Sequence, residues 1–374
     1  MFSKFSLRGD RIIWTLVFVL MVFGLLGVYS STGALAYRFR DGDTESYLFK
    51  HALLLGLGVA TAYVVHLLDY RLLARMATPL LAASLLLLAF TLFQGDEYQV
   101  NRANRWLSFL GMSFQPSDLA KFALIVFLAK ILAKRQQQIK EFRKGFVPVF
   151  LVVLAVCGLI APANLSTAML VFFSSVGLMY VAGMRFKYLA GLAGAAVIGM
   201  TLLILTVPRA STWKHRLHDF VLRIFDPAYE PHYQIVQSNI ALVNGGIFGM
   251  GPGHSVQRNF LPHPYSDFIY SIIVEEYGFL GGFLILLLFV TLMFRALTIV
   301  VKAKTFGGLL AFGLAFVIVL QGLINMGVTV GLLPVTGLPL PLVSMGGTSI
   351  LFTSLSIGVI LSVSRSTREK AATS

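Results

Sequence analysis

Leu261-Pro-His-Pro-Tyr-Ser-Asp267-Phe-Ile-Tyr-Ser-Ile-Ile-Val-Glu275-Glu-Tyr-Gly278 leads into Phe279–Phe294, a run without a single charged residue. Residues 268–294 therefore read as one helix long enough to cross a bilayer, which takes about 20 apolar residues. Pro262 and Pro264 keep the approach extended, so Asp267 arrives at the mouth of that helix. A carboxylate there gains from free backbone amides and the helix dipole, whether it only caps the helix or does chemistry. Asp267, Ser271 and Glu275 follow at steps of four on one face, with Glu276 beside them. At a rise of ~1.5 Å per residue, Glu275 lies about 12 Å deeper than Asp267. A charge inside a spanning helix is costly and faces a cavity or a partner. The stripe predicts a polar cleft entered from the Asp267 end; the plainer role, tying helices together, suits Glu276 better.

The rest of the chain has the same texture. Of 374 residues, 57% are hydrophobic and 12% charged, against roughly 45–50% and about 25% in soluble domains. That composition excludes a soluble enzyme. Apolar spans at 12–30, 49–68, 77–94, 116–133, 146–162, 165–182, 188–207, 268–294, 306–330 and 347–364 predict an all-α polytopic membrane protein with ten transmembrane helices. They form one domain over residues 1–374. The first apolar stretch is long and lacks a small-residue cleavage site after it, so it reads as a span rather than a signal peptide. Cys157, the single cysteine, can form no intramolecular disulfide and reads as a packed small hydrophobe.

A net charge of +14 would suggest nucleic acid in a soluble protein. In a membrane protein it is the excess of Lys and Arg on the cytoplasmic side. With the N-terminus inside, about two thirds of the 30 Lys and Arg fall in the inner segments. Both termini are then cytoplasmic, and no nucleic-acid partner is expected.

The external segments carry the chemistry. The longest, about 208–267, separates the seventh and eighth spans, and long ordered loops tend to be functional. Trp213, Leu217, Phe220, Val221 and Ile224 fall at helical spacing opposite Lys214, Arg216 and Arg223. This describes either an amphipathic helix on the outer leaflet or one that caps the bundle. Further on, Gly245, Gly246, Gly249, Gly251 and Gly253 let the backbone approach a ligand or simply turn.

The fourth span begins Gln115-Pro-Ser-Asp118-Leu-Ala-Lys121, with Pro116 and Asp118 placed as in a helix start. Lys121 sits shallow enough to reach the outer surface, and Asn104-Arg105-Trp106 precede it on the same side. An arginine, an interfacial indole, a helix N-terminus and a lysine are the parts of a site for an anionic headgroup or pyrophosphate. Past the ninth span, Pro334, Pro339 and Pro341 with Gly346 and Gly347 predict a re-entrant or kinked segment, buried in protein or facing water. Gln321 and Asn325 read as bridges between helices. No cluster has metal-ligand spacing, so no cofactor is assigned and assistance from a divalent ion is left open.

Four of these stretches, in order over nearly the whole chain, resemble the SEDS family of FtsW and RodA. They are Asn104-Arg-Trp with Gln115-Pro-Ser-Asp118-Leu-Ala-Lys121; Tyr233-Gln-Ile-Val-Gln237-Ser238 with its glycines; Leu261-Pro-His-Pro-Tyr-Ser-Asp267-Phe with Glu275-Glu-Tyr-Gly278; and Leu333-Pro-Val-Thr-Gly-Leu-Pro-Leu-Pro-Leu-Val-Ser344-Met-Gly-Gly. The resemblance implies ten transmembrane helices and a glycosyltransferase that polymerises lipid II into peptidoglycan on the outer face of the bacterial cytoplasmic membrane. It also implies a class B penicillin-binding protein as transpeptidase partner, and the details lean toward the division branch, at the septum with other divisome proteins.

Carried onto this sequence, the resemblance makes Asp267 the essential aspartate. It places Arg105, Trp106 and Lys121 around the same cavity, with Gln237, Ser238, Arg258 and Glu275 as further substrate-binding candidates. Where the family usually has Leu-Pro-Glu-x-His-Thr-Asp, this chain has His263, Tyr265 and Ser266 in place of the Glu, His and Thr. Asp118 stands for a Glu and Met345 for a Tyr. The expected chemistry has Asp267 as general base, Lys121 and Arg105 on the pyrophosphate, and Lys121 as ion-pair partner of Asp267. An elongation polymerase, a lipid II flippase or other transporter, and a recruiting scaffold are the alternatives. A transporter tends to bind at the midplane between repeated halves, and the sequence has no convincing internal repeat.

Overall fold

The computed structural model describes residues 8–33, 44–92, 106–109, 112–206, 210–226, 228–303 and 305–373. The helices are α1 (Arg11–Ser31), α2 (Thr44–Leu67), α3 (Arg71–Leu92), α4 (Pro116–Lys134), α5 (Val147–Ile160), α6 (Leu165–Val181), α7 (Phe186–Thr206), α8 (Ala210–Phe225), α9 (Tyr233–Gly245), α10 (Ile269–Lys302), α11 (Thr305–Thr329) and α12 (Gly347–Thr373). A π-helical turn, Phe142–Phe146, runs directly into α5. One small departure from the all-α expectation is an antiparallel hairpin of β1 (Leu107–Phe109) and β2 (Met112–Phe114), with Leu107 opposite Phe114.

A helix lies at each of the ten apolar spans. Among the described residues seven are long and apolar enough to cross a membrane: α1, α2, α3, the continuous Phe142–Ile160, α10, α11 and α12. Of the other three, α6 is shorter, α7 qualifies as apolar over Phe186–Gly199, and α4 carries Asp118, Lys121, Lys130 and Lys134. Apart from the β1–β2 hairpin, the regular structure of the described residues is helical, and the chain is a multi-pass membrane protein.

The axis of the bundle is α11, whose apolar stretch is 78% buried where those of α2 and α3 are 22% buried. Small residues let its neighbours close in: a Cβ on Gly313 would lie 2.7 Å from Ile125 of α4, and one on Gly322 would lie 2.9 Å from Phe289 of α10. On the other flank α12 runs parallel to α2. Gly58 meets Ser354, Gly358 meets Ala62 and Val65, and the Ser362 hydroxyl donates to Leu68 O at 2.5 Å.

One end of the bundle is clamped by charge. Asp10 caps α1, accepting from Ile12 N at 2.9 Å, and is almost fully buried. Its other oxygen, Oδ2, pairs with Arg295 of α10 and lies 3.9 Å from Arg368 of α12, which also donates to Gly9 O at 2.8 Å. The start of α1, the far half of α10 and the end of α12 are thereby tied together.

Toward the opposite end, the single uninterrupted helix expected over 268–294 is broken. Gly278 adopts φ 69°, ψ −171° inside α10. The loop after α9 fills the break and takes over the freed backbone groups. Met250 N and Gly251 N donate to Glu275 O and Glu276 O, both at 2.9 Å. Phe279 N and Leu280 N donate to Gly246 O and Ile247 O at 2.8 and 3.3 Å. This exchange satisfies four of the α10 backbone groups at the kink. It needs glycine on both sides: a Cβ on Gly278 would lie 2.2 Å from Ile247 O, and one on Gly249 would lie 2.1 Å from Glu276 O.

Residues 331–346, between α11 and α12, are irregular yet substantially buried, as the three prolines suggest. Leu342 and Val343 reach the middle of α1, where Gly24 makes room: a Cβ there would lie 2.7 Å from Leu342 O. Several of the segment's polar groups are met by protein. Ser344 Oγ accepts from Leu340 N at 2.8 Å and donates to Ser266 O at 2.6 Å, while Met345 N donates to Tyr265 O at 2.9 Å.

Candidate functional site

Leu261 and Phe268, at the two ends of the Pro-rich approach, are buried with Ile235, Ile272 and Val335 in a small apolar cluster of their own. Between them the chain turns, with His263 at φ 56° and Ser266 N donating to His263 O at 3.1 Å. Asp267 emerges half-buried from this turn. It does not cap α10: the cap position is Phe268, with no side-chain hydrogen bond. Its carboxylate accepts from Ser266 Oγ at 2.9 Å, and Oδ2 faces Gly337, where a Cβ would lie 3.5 Å away. No cation is within ion-pair distance of it among the described residues.

From Asp267 a polar chain runs along α11. Asn325 Nδ2 donates to Asp267 O at 2.9 Å and to Leu338 O at 2.8 Å. One turn earlier, Gln321 Nε2 donates to Pro339 O at 2.8 Å, and its Oε1 accepts from Lys121 Nζ at 3.0 Å. Asn325 and Gln321 thus bridge helices and the irregular segment. Lys121 is paired with Asp118 at 3.2 Å, both side chains mostly buried, and Thr348 Oγ1 donates to Asp118 Oδ2 at 3.4 Å. The expected ion pair between Lys121 and Asp267 is absent, because Asp118, three residues earlier on α4, claims the ammonium first. Lys121 and Asp267 are instead tethered to successive turns of α11, about 6 Å apart along its axis.

The cation that feels Asp267 lies on the other side, where sequence reasoning assigned none. Arg216 of α8 donates to Val335 O at 3.1 Å, two residues from Gly337. Partial burial lowers the pKa of its guanidinium, and the charge on Asp267 raises it. Tyr265 also faces this carboxylate: burial, then Tyr47 and Asp267, push its phenol above the usual value, so it stays protonated near neutrality. The one available signal for Arg216 was its place on the polar side of an amphipathic helix.

The remaining candidates divide. Arg105 lies outside the described residues; Trp106 is partly buried immediately before β1. The hairpin then delivers Gln115, whose N donates to Thr348 Oγ1 at 3.4 Å. Gln237 is partly buried on α9. Ser238 is fully buried, its hydroxyl donating to Thr329 O at 2.9 Å, which fastens α9 to α11. Glu275 is fully buried and accepts from Asn244 Nδ2 and Gln257 N, both at 3.2 Å, and from Ser255 Oγ. Glu276 accepts from Ser30 Oγ and Ser255 N. Arg258 donates to Ser30 O and Oγ, both at 3.1 Å.

The polar cleft expected beneath Asp267 is therefore closed. Ser271 is sealed and bonds Phe268 O at 2.8 Å, and the loop inserted at Gly278 covers both glutamates. A stripe that looked like a cavity wall is the seam that receives this loop. Among the described residues no three His, Cys, Asp or Glu side chains gather as metal ligands.

A half-buried, uncapped carboxylate on the 261–267 turn, with a lysine of α4 and the Pro-rich segment converging on α11, can be set beside known proteins. The family profile of FtsW, RodA and SpoVE, described as cell cycle proteins, matches residues 10–369. The chain belongs to this family. Within it, the chain is 34% identical to the probable peptidoglycan glycosyltransferase FtsW of Geobacter sp. (strain M18), covering 97% of this chain and 98% of that one. It is equally identical to the stage V sporulation protein E of Bacillus subtilis (strain 168), covering 96% and 98%. Among solved structures, a family fold in a peptidoglycan synthase complex that coordinates polymerization and crosslinking superposes with TM-score 0.75 at 29% identity, covering 96% of this chain and 98% of that one. The rod shape determining protein RodA of Thermus thermophilus gives 0.69 at 27%, covering 96% and 97%.

Proposed function

We propose that this FtsW/RodA/SpoVE-family chain is a peptidoglycan glycosyltransferase that polymerises lipid II on the outer face of the bacterial cytoplasmic membrane, and that Asp267 is its general base. The observation that carries the base assignment is the state of Asp267. It caps no helix, among the described residues no cation lies within ion-pair distance of it, and its carboxylate accepts from the Ser266 hydroxyl. Relatives named as peptidoglycan glycosyltransferases, matched over nearly the full length, support the reaction class.

The reaction joins two lipid-linked sugars. The 4-hydroxyl of one attacks the anomeric carbon of the other from the face opposite its α-linked pyrophosphate. The new C–O bond forms as the bond to pyrophosphate breaks, and the pyrophosphate leaves with the electron pair. Asp267 takes the hydroxyl proton, a contribution of typically 10²- to 10⁴-fold. Cations beside the leaving group stabilise its developing charge, the role we assign to Lys121 with Arg105. Trp106 and Gln237 complete the substrate contacts in this reading.

In this reading all ten apolar helices cross the membrane and both termini are cytoplasmic. The clamp of Asp10, Arg295 and Arg368 supports it, gathering both ends of the chain at one end of the bundle on the Lys- and Arg-rich side. The FtsW names among the relatives favour a role at the division septum over elongation. A class B penicillin-binding protein is the partner that would crosslink the product.

The test is polymerisation of lipid II by purified protein carrying Asp267→Asn. A normally folded variant should lose product by at least ~10²-fold, and undiminished product removes the assignment.

A further inference from the structure

Beneath α8 lies a cavity of about 380 Å³, lined by His215, Arg216, Arg223 and His232 and floored by Leu333 and Val335. Its cations are held in place without being neutralised. Arg216 gives one N–H to Val335 O, and Arg223 gives one to Gly331 O, its guanidinium packed flat against Gly331. Neither has a carboxylate within ion-pair distance among the described residues. The one acid in the wall, Asp219, accepts from the Tyr229 hydroxyl at 2.5 Å. A guanidinium has five donors in a planar fork suited to phosphate oxygens, so most of this capacity is unused among the described residues.

The cavity adjoins Asp267. Val335, which holds Arg216, is two residues from Gly337, which faces the carboxylate. The outer side of α8 sets the depth: Leu217, Val221, Ile224 and Phe225 are exposed, a face suited to the boundary of headgroups and acyl chains. Polymerisation brings two lipid-linked sugars together, and each carries a pyrophosphate at that depth. Lys121 can serve one. It is already paired with Asp118, beside a pocket of only about 20 Å³.

We propose that the cavity beneath α8 is a second pyrophosphate subsite, in which Arg216 and Arg223 hold the phosphate-bearing head of one of the two lipid-linked substrates. This rests on the polymerase reading above. The shared chemistry is a phosphate group at the membrane surface, and its two sources are a polyprenyl pyrophosphate and an ordinary phospholipid headgroup.

The full-length chain in neutral detergent is titrated with geranylgeranyl pyrophosphate, inorganic pyrophosphate and phosphatidylglycerol, as wild type and as Arg216→Gln/Arg223→Gln. Lys214→Gln on the same helix, with matched thermal unfolding, controls for folding. The double variant should bind both pyrophosphates at least ~10-fold more weakly and phosphatidylglycerol unchanged. Equal weakening for phosphatidylglycerol assigns the cavity to bulk lipid headgroups and overturns the subsite, as does unchanged binding of both pyrophosphates. In polymerisation assays Arg223→Gln alone should raise KM about 5-fold with kcat within about 2-fold; an unchanged KM also overturns it. Wild-type protein that binds pyrophosphate through these arginines but makes no polymer sinks the polymerase reading and leaves the anion site standing.

Discussion

The two ends of the bundle treat their charges in opposite ways. At the clamped end, a nearly buried Asp10 caps α1 with one oxygen and meets Arg295 and Arg368 with the other. At the other end, among the described residues, Asp267 has a single hydroxyl, and Arg216 and Arg223 are bound to backbone carbonyls rather than to acids. Carbonyls fix a guanidinium in space and leave its net charge in place. Charges that pair with each other hold helices together; charges positioned by neutral groups remain available to a ligand. The difference sets Asp10 apart from Asp267, Arg216 and Arg223 without reference to any relative; Lys121, paired with Asp118 and assigned to the pyrophosphate, stands between the two kinds.

The comparison can be broken most directly at its two aspartates. Asp267→Asn should give the largest effect of all on polymerisation, at least ~10²-fold, with the melting temperature close to wild type. A large fall in stability there would show that Asp267, like Asp10, belongs to the scaffold. Next in size is Gly278→Ala, where φ 69° and a Cβ 2.2 Å from Ile247 O expel the inserted loop. We expect about 2–4 kcal/mol of lost stability, read by thermal unfolding, and faster proteolysis within 245–258. Asp10→Asn should come third, at about 1–3 kcal/mol, below a fully buried pair because Arg295 is partly exposed. Activity per folded molecule should persist; its loss would erase the contrast between the ends.

How much of this was legible in the sequence follows from how local each signal is. Apolar runs are local, and every expected span coincides with a helix. The Pro-rich segment after α11 was legible because proline restricts backbone wherever it stands. Asp267 and Lys121 do converge on α11, but the partner of Lys121 is Asp118, on its own helix. Two features required long-range knowledge. The break at Gly278 exists because a loop some thirty residues earlier donates into it, so a helical pattern of Asp267, Ser271 and Glu275 mimicked a cleft. Arg216 contacts Val335, more than a hundred residues away, and nothing in the spacing of α8 announces that.

The smallest effect sharpens the same line between scaffold and site. Ser238 sits in a stretch that the family resemblance marks as substrate-binding, yet its hydroxyl is fully buried and donates to Thr329 O at 2.9 Å. That carbonyl is in the last turn of α11, where no residue four positions on continues the helix to satisfy it. Ser238→Ala removes one donor and leaves the small side chain's packing nearly intact, so stability should fall by about 1 kcal/mol. Neither KM nor kcat for lipid II should change by more than about 2-fold. A raised KM at unchanged melting temperature would instead mean that the hydroxyl turns toward substrate when the site is occupied, and the boundary between packing and binding would have to be drawn one helix further in.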